Sequence, residues 1–202
     1  MIKMTKTGFT PENTVYTPKN IISFISELVS PWQSKRILDP ACGTGSFFWN
    51  INKKAEVQQN FTGIDIGPEI IEMAKNNLET TNIFWKLINE DYFKIYNELG
   101  LFDLIVSQPS FQQLKETITV KGFQFLNNEL AYLFASLDLL EEGGYLVFIL
   151  PEQKSFFFSD YQCWRIFIKR SLEKIYPMVF GRMPLNLQKV MFHGPLTTSK
   201  VL

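Results

Sequence analysis

The stretch Arg36-Ile37-Leu38-Asp39-Pro40-Ala41-Cys42-Gly43-Thr44-Gly45-Ser46-Phe47-Phe48-Trp49-Asn50-Ile51 is the one from which the fold can be read. Arg36-Ile37-Leu38 reads as the end of a buried strand, and Phe48-Trp49-Asn50-Ile51 as the start of a helix. The tight loop between them carries two glycines, which let the backbone come close to a ligand. The N-terminus of the following helix offers free N–H groups to a polar or anionic group. A strand, glycine loop and helix in this order point to a nucleotide-type ligand. An ordinary βα turn is the plainer alternative, since short glycine patterns recur by chance.

Outward from this unit, strands and helices alternate. Residues 1–14 are polar and are expected to be a mobile N-terminal segment, with residues 15–202 forming a single domain. Thr17-Pro18-Lys19 opens an amphipathic helix, with Thr17 as cap and Pro18 at its first position. Ile21, Ile22, Phe24, Ile25 and Leu28 give its apolar face, and Pro31 ends it. The helix after the glycine loop runs to about Lys54. Phe61 to Ile66 is a second strand, and Pro68-Glu69 begins a helix to about Leu78 that turns Ile70, Ile71, Met73 and Ala74 to the sheet. Ile83 to Ile88 is a third strand, with Asp91-Tyr92-Phe93 just beyond it. Phe102 to Val106 is a fourth, apolar enough to be buried on both faces. A variable loop, a helix over Glu129 to Leu140, a Gly143-Gly144 turn and a fifth strand over Tyr145 to Leu150 follow. Phe156 to Ser171 reads as mostly helical, and Ile175 to Phe180 as a further strand. This alternation predicts an α/β fold, a Rossmann-like, doubly wound and mostly parallel sheet, with the ligand at the carboxyl ends of the central strands.

The chain has 202 residues, 46% hydrophobic and 20% charged, which suits a globular domain with a sizeable core and argues against disorder. Twenty basic and twenty acidic residues cancel, so net charge lends no support to a chain that holds nucleic acid by phosphate neutralisation alone. Lys169, Arg170, Lys174 and Arg182 could touch phosphates, but scattered basic residues are more often a solvated face. The two cysteines, Cys42 and Cys163, and the single histidine, His193, make neither a disulfide framework nor a metal site, so no metal is expected. Cys42 reads as a small residue packed in the loop, and Cys163 as a core or surface thiol on a helix. This usage suits a reducing, cytoplasmic compartment. No apolar run is long enough for a membrane span, and the N-terminus has no signal-peptide pattern.

Asp65 ends the second strand about two dozen residues after the glycine loop, where an acid can bind ribose hydroxyls. A solvated strand-end Asp is the alternative. Asp91 ends the third strand at the same sheet edge, where a helix cap competes with any ligand role.

The loop Asp39 to Phe47 resembles that of the S-adenosylmethionine-dependent adenine-N6 DNA methyltransferases. It looks above all like the methylation subunits of type I restriction-modification systems, where DPACGTGSF is the usual cofactor loop. The resemblance runs from about Gly8 to about Gln153, through several motifs in the expected order. It implies S-adenosyl-L-methionine as cofactor, bound by Tyr16, Thr17, Asp39, Pro40, Ala41, Cys42, Gly43, Gly45, Asp65, Ile66, Asp91 and Tyr92. Ile66 would border the cofactor's adenine ring, and Asp91 would lie beside that ring or the target base. Tyr16-Thr17-Pro18 resembles the N-terminal cofactor motif, and helix capping explains Thr17-Pro18 equally well. With that motif first, the order is that of the gamma class, in which the DNA-reading region comes last. Gly143 to Pro151 is similar to the family's later strand motif.

The catalytic motif departs from the family. Where the family has Asn-Pro-Pro-Tyr or Asn-Pro-Pro-Phe, this chain has Gln108-Pro109-Ser110-Phe111. The target adenine must be flipped out of the duplex. Its exocyclic amine is a poor nucleophile, because the lone pair is delocalised into the ring. In the family the Asn oxygen and the first proline's carbonyl accept the two N–H bonds and aim the lone pair at the methyl carbon, and the aromatic residue stacks on the base. Pro109 keeps the carbonyl, Phe111 the stacking face and Gln108 an amide. The extra methylene of Gln108 displaces its oxygen by roughly 1 Å or more, and a misplacement of that size can cost about a hundredfold in rate. Ser110 removes the proline that stiffens the turn.

The resemblance therefore implies a DNA methyltransferase core acting on adenine N6, with DNA recognised through a missing recognition domain or a partner subunit. A degenerate methyltransferase fold serving as a binding or assembly subunit is the alternative that Gln108 and Ser110 favour. A glutamine or guanine-amine methyltransferase is a third, since those families also use an Asn-Pro-Pro-aromatic loop.

Overall fold

The computed structural model describes residues 17–29, 33–53, 55–110, 113–151 and 164–170. In chain order the elements are α1 (Lys19–Val29), β1 (Arg36–Asp39), α2 (Ser46–Asn52), β2 (Asn60–Asp65), α3 (Pro68–Glu79), β3 (Phe84–Asn89) and α4 (Tyr92–Ile95), the last extended by a 3₁₀ turn over Tyr96–Glu98. They continue with β4 (Phe102–Ser107), β5 (Gln113–Val120), β6 (Phe123–Asn127), α5 (Asn128–Ser136), a 3₁₀ turn over Leu137–Leu139, β7 (Leu140–Pro151) and β8 (Trp164–Arg170).

One sheet has the order β3-β2-β1-β4-β7-β8. Its first five strands pair in parallel, and β8 runs antiparallel along β7. This is the Rossmann-like, doubly wound class I methyltransferase architecture. Both faces of the sheet are covered, so neighbouring strand residues are buried in opposite directions. Ile37, Leu104, Val106, Val147 and Ile149 join α1 and α2 in one core. Leu38, Ile105, Leu146 and Phe148 join Tyr92, Tyr96, Ala131 and Ala135 in the other. Phe48 of α2 lies against Phe61 of β2 at 4.8 Å between ring centroids and is fully buried. Removing a side chain so placed costs about 3–5 kcal/mol.

At the amino-terminal end of β1, Asp103 accepts the N–H groups of Lys35 (3.1 Å) and Arg36 (2.8 Å). Arg36 also pairs with Asp103 (3.2 Å) and Glu141 (3.1 Å). These ion pairs are half exposed, and such pairs contribute about 0–1 kcal/mol each. The backbone bonds do more, because they lock the start of β1 beside β4.

Several expectations are corrected. Pro18 precedes the helix rather than opening it. Its carbonyl accepts the N–H of Ile22 at 3.1 Å, which makes it the residue before the first turn. On α3, Met73 is exposed rather than turned to the sheet, while Ile70, Ala74 and Leu78 are buried. The segment after β4 is an antiparallel hairpin, β5–β6, rather than a variable loop. Its turn residues Lys121 and Gly122 have φ +52° and +82°, as a two-residue type I′ turn requires. Lys121 is not a residue that announces such a turn, but its ammonium pairs with Asp138 and lies over the Phe134 ring at 5.4 Å.

Gly143-Gly144 lies inside β7 instead of forming a turn. Pairing with β4 shifts register between Phe102↔Leu140 and Leu104↔Tyr145, and the extra residues are absorbed there. A Cβ on Gly144 would stand 2.9 Å from the Glu141 carbonyl oxygen and 3.1 Å from that of Phe102, so only glycine allows this approach. Trp164–Arg170 is a strand where a helix was expected. The run Trp164-Arg165-Ile166-Phe167-Ile168 is rich in aromatic and β-branched residues, and the open edge of β7 offers it a ladder. The expected mobile segment 1–14, Tyr16, Pro31, Phe111, Cys163 and the strand at 175–180 lie outside the described residues.

Candidate functional site

Because β1, β2, β3, β4 and β7 are parallel, their carboxyl ends meet at one edge. From β1 the chain winds outward through β2 and β3, then returns to place β4 on the other side of β1. A crevice opens at such a reversal, and ligands of open α/β sheets bind there. The loop after β1 is the glycine loop, and the loop after β4 is Gln108-Pro109-Ser110. The cleft lined by Ser34, Lys35, Asp103 and Tyr145 lies at the opposite end of the strands and takes no part in this arrangement.

The glycine loop is built on positive φ angles, +53° at Gly43 and +78° at Gly45. Cys42 N–H donates to the Ile64 carbonyl (2.9 Å), Gly45 N–H to that of Cys42 (3.0 Å), and Asn77 Nδ2 to that of Thr44 (3.1 Å). Cys42 is buried, as a small packed residue should be, and burial pushes its thiol pKa up. Gly63 of β2 leaves it room, since a Cβ there would lie 2.9 Å from Cys42 Sγ. Among the described residues no atom lies within 4 Å of where a Gly43 Cβ would stand, so they leave the loop's outer side open.

Two acids frame this loop. Asp65 Oδ2 accepts the Gly43 N–H at 3.1 Å and Oδ1 the Gly67 N–H at 2.9 Å, which ties the loop to the end of β2 and the start of α3. Burial raises its pKa, and the backbone donors work against that rise. Asp39 is 1% exposed. Its Oδ1 accepts from Ser107 Oγ (2.8 Å) and Ala41 N–H (3.1 Å), which joins the ends of β1 and β4. Burial pushes its pKa up to about 7, with the Asp65 charge adding to the effect.

Across the switch point, Gln108 is 8% exposed, and neither Oε1 nor Nε2 has a hydrogen-bond partner among the described residues. Leaving a buried polar group unmet costs roughly 1–3 kcal/mol, so an amide in this state calls for a reason. Pro109 is buried beside it. Ser110 is held from α5, whose Asn128 Nδ2 donates to the Ser110 carbonyl (3.2 Å) and Oγ (3.0 Å). The next residue, Glu129, has a buried Oε2 without a partner among the described residues, and burial raises its pKa.

The remaining expected residues divide. Ile66 is 61% exposed just past β2, an apolar face left open at the sheet edge. Thr17 is half-buried ahead of α1, and Pro40 and Ala41 carry the chain from Asp39 into the loop. Asp91 caps α4, its Oδ1 accepting the Phe93 N–H at 3.0 Å. The Tyr92 side chain, expected at the cofactor, is buried in the core with its hydroxyl 2.9 Å from Ser136 Oγ, so only its backbone reaches the edge. Sequence reasoning missed Ser107, Asn128 and Tyr132. The Tyr132 ring stacks on Tyr92 at 5.1 Å and meets Phe93 edge-on at 4.7 Å. Its hydroxyl pKa is raised by burial first, and the charges of Asp65, Asp91 and Asp39 act in the same direction. A tyrosine in an apolar helix face carries no sequence signal for that position.

The sheet order and the glycine loop at its switch point define the class I methyltransferase fold. Solved structures share the fold. One assigned to the class I S-adenosylmethionine-dependent methyltransferases of Listeria monocytogenes superposes with a TM-score of 0.65 at 18% identity, over 84% of this chain and 65% of that one. A modification subunit assigned to a type I restriction enzyme of Vibrio vulnificus YJ016 gives 0.59 at 20% identity, over 70% and 35%. The N-6 DNA Methylase family model matches residues 4–160, and the chain belongs to that family, whose methyl donor is S-adenosylmethionine. Among curated relatives, the type II restriction enzyme and methyltransferase RM.BcgI of Heyndrickxia coagulans is 30% identical over 70% of this chain and 24% of its own length. The type II methyltransferase M.TthHB8I of Thermus thermophilus is 25% identical over 68% and 34%. The chain thus spans about a quarter to a third of these relatives.

Proposed function

We propose that this chain is the catalytic core of a DNA methyltransferase that uses S-adenosylmethionine to methylate the N6 amine of an adenine turned out of the duplex. The observation that carries the reading is Gln108, a buried amide at the end of β4 with no hydrogen-bond partner among the described residues, across the switch point from the glycine loop. The residues present fit the cofactor. The open side of Gly43 admits a close ligand, Asp65 stands where ribose hydroxyls would be bound, and Ile66 offers an apolar cover for an adenine ring. When bound, the cofactor supplies a methyl group already activated on a sulfonium, so the protein's task is positioning. Gln108 Oε1 and the Pro109 carbonyl accept the two N–H bonds of the amine and turn its lone pair toward the methyl carbon. Nε2 of Gln108 remains free to donate to a ring nitrogen beside the amine, a pairing that an adenine edge offers. Phe111 stacks on the base.

DNA recognition is assigned to a region or partner subunit beyond the matched part, which agrees with a net charge of zero. A second reading, a methyltransferase fold kept as a binding or assembly subunit, is favoured by Gln108 and Ser110 standing where the family has Asn and Pro. Calorimetric titration with S-adenosylmethionine, followed by tritium transfer to unmethylated DNA for the native chain and Gln108→Asn, separates the two. The proposal expects saturable binding that Asp65→Ala loses, and transfer that Gln108→Asn alters. Binding with no transfer in either protein supports the second reading, and absence of binding at millimolar cofactor sinks both the site assignment and the enzyme.

A further inference from the structure

We propose that Asn128 is a positioning residue for the Gln108-Pro109-Ser110 turn, supplying from α5 the stiffness that a proline at position 110 would give. The inference rests on the proposed function, because it assigns Asn128 a part in presenting the amine acceptors. The Asn128 amide nitrogen donates to both oxygens that Ser110 offers, its carbonyl at 3.2 Å and its hydroxyl at 3.0 Å. Helix capping does not account for this contact. Asn127 is the cap residue of α5, and a helix N-terminus needs side-chain acceptors, whereas Asn128 uses its donor.

The anchors on both sides of the turn are firm. Ser107 pairs with Phe148 in the β4–β7 ladder and donates to Asp39. Asn128 begins a helix whose Ala131 and Ala135 are fully buried against the sheet. Between Ser107 and Ser110 only Gln108 and Pro109 are left to move, and the proline ring fixes its own φ. The direction of the Pro109 carbonyl then depends on where Ser110 is held. A free serine at this place would let that carbonyl swing, and Gln108 with it. The departure at Ser110 and the presence of Asn128 are two halves of one device, in which a side-chain clamp does what a ring does in the family motif.

The test uses the full chain in four forms: native, Asn128→Asp, Ser110→Pro, and both changes together. Asp has the shape of Asn and suits the first turn of a helix, but lacks the donor. Asn128→Ala serves as a second variant should the new carboxylate disturb folding. Three quantities are read in each: hydrogen–deuterium exchange over residues 107–112, S-adenosylmethionine affinity by calorimetry, and kcat for tritium transfer to unmethylated DNA. Asn128→Asp is expected to speed exchange in that segment, leave cofactor affinity in place, and lower kcat by about tenfold to a hundredfold, the scale of a misplacement near 1 Å. Adding Ser110→Pro should restore both slow exchange and kcat, which a purely structural loss would not allow. Unchanged exchange in Asn128→Asp, or a loss that Ser110→Pro leaves unrepaired, overturns the clamp. If the native chain transfers nothing to DNA while exchange rises and is reversed as described, the clamp stands and the proposed function fails.

Discussion

Asp39 is an acid that burial keeps protonated until pH is near 7, against 3.8 for the ordinary side chain. Between those values the folded chain binds a proton that the unfolded chain has released. The contribution of Asp39 is therefore fully present below about pH 4, is lost progressively as pH rises toward 7, and is flat above. At about 1.4 kcal/mol per pKa unit the total is at most about 4 kcal/mol. Both of its hydrogen bonds go to Oδ1, so Asp39→Asn keeps an acceptor for Ser107 and Ala41. That variant is expected to gain stability at pH 8 relative to the native chain and to show a flatter dependence between pH 4 and 7. Urea unfolding at pH 4, 5.5 and 8 checks this, and parallel curves for the two proteins would refute it. Gln108 is the complementary case, a buried neutral group whose two polar atoms find no partner among the described residues. Asp39 and Gln108 were both legible from motif position. Their burial was not, because it comes from neighbouring strands rather than from adjacent residues.

At the scale of elements, the hairpin β5–β6 and helix α5 behave as one unit behind the Gln108-Pro109-Ser110 turn. Phe134 of α5 meets Phe123 edge-on and Phe125 at a tilt, both at 5.3 Å, and takes Lys121 over its face. Phe134→Ala should release the hairpin from the helix. We expect a stability loss of about 2 kcal/mol, below that of a fully buried Phe because the ring is half exposed. Amide exchange over residues 113–127 should rise while β1 and β4 stay protected. Uniform acceleration along the chain would show instead that the hairpin is part of the global folding unit. The sequence concealed this element, since the turn is carried by Lys121-Gly122 and not by Asn-Gly or Asp-Gly. Gly143-Gly144 misled in the other direction, because a glycine pair suits a turn and a close strand approach equally well.

For the whole molecule, two cores on opposite faces of one sheet hold the carboxyl ends of β1, β2 and β4 at a common edge. On the proposed function, a ligand seated there would touch the loops after β1, β2 and β4 together and stabilise the sheet through all three. S-adenosylmethionine at a hundredfold excess over its dissociation constant should add about 2.7 kcal/mol of stability. For a chain of this size that corresponds to a rise in melting temperature of roughly 5–10 °C. Asp65→Ala should lose that rise, and thermal scans with and without cofactor check it. Equal shifts in native and variant chains would remove Asp65 from the cofactor site.

The amino-acid sequence by itself determined the strand–loop–helix unit at Arg36–Ile51, the acid at the end of β2, the alternation that makes a parallel sheet, and the family to which these belong. These are local patterns, set by which residues tolerate positive φ, which alternate in burial and which end a strand. The tertiary structure alone decided that Ser107 bonds Asp39 and that Asn128 holds Ser110. It also turned Tyr92 into the core, stacked it on Tyr132, and brought Trp164–Arg170 to the sheet as an antiparallel edge. Each of these depends on atoms brought together across long stretches of chain, where the hydrogen-bonding and burial needs of one element are met by another that no local pattern announces.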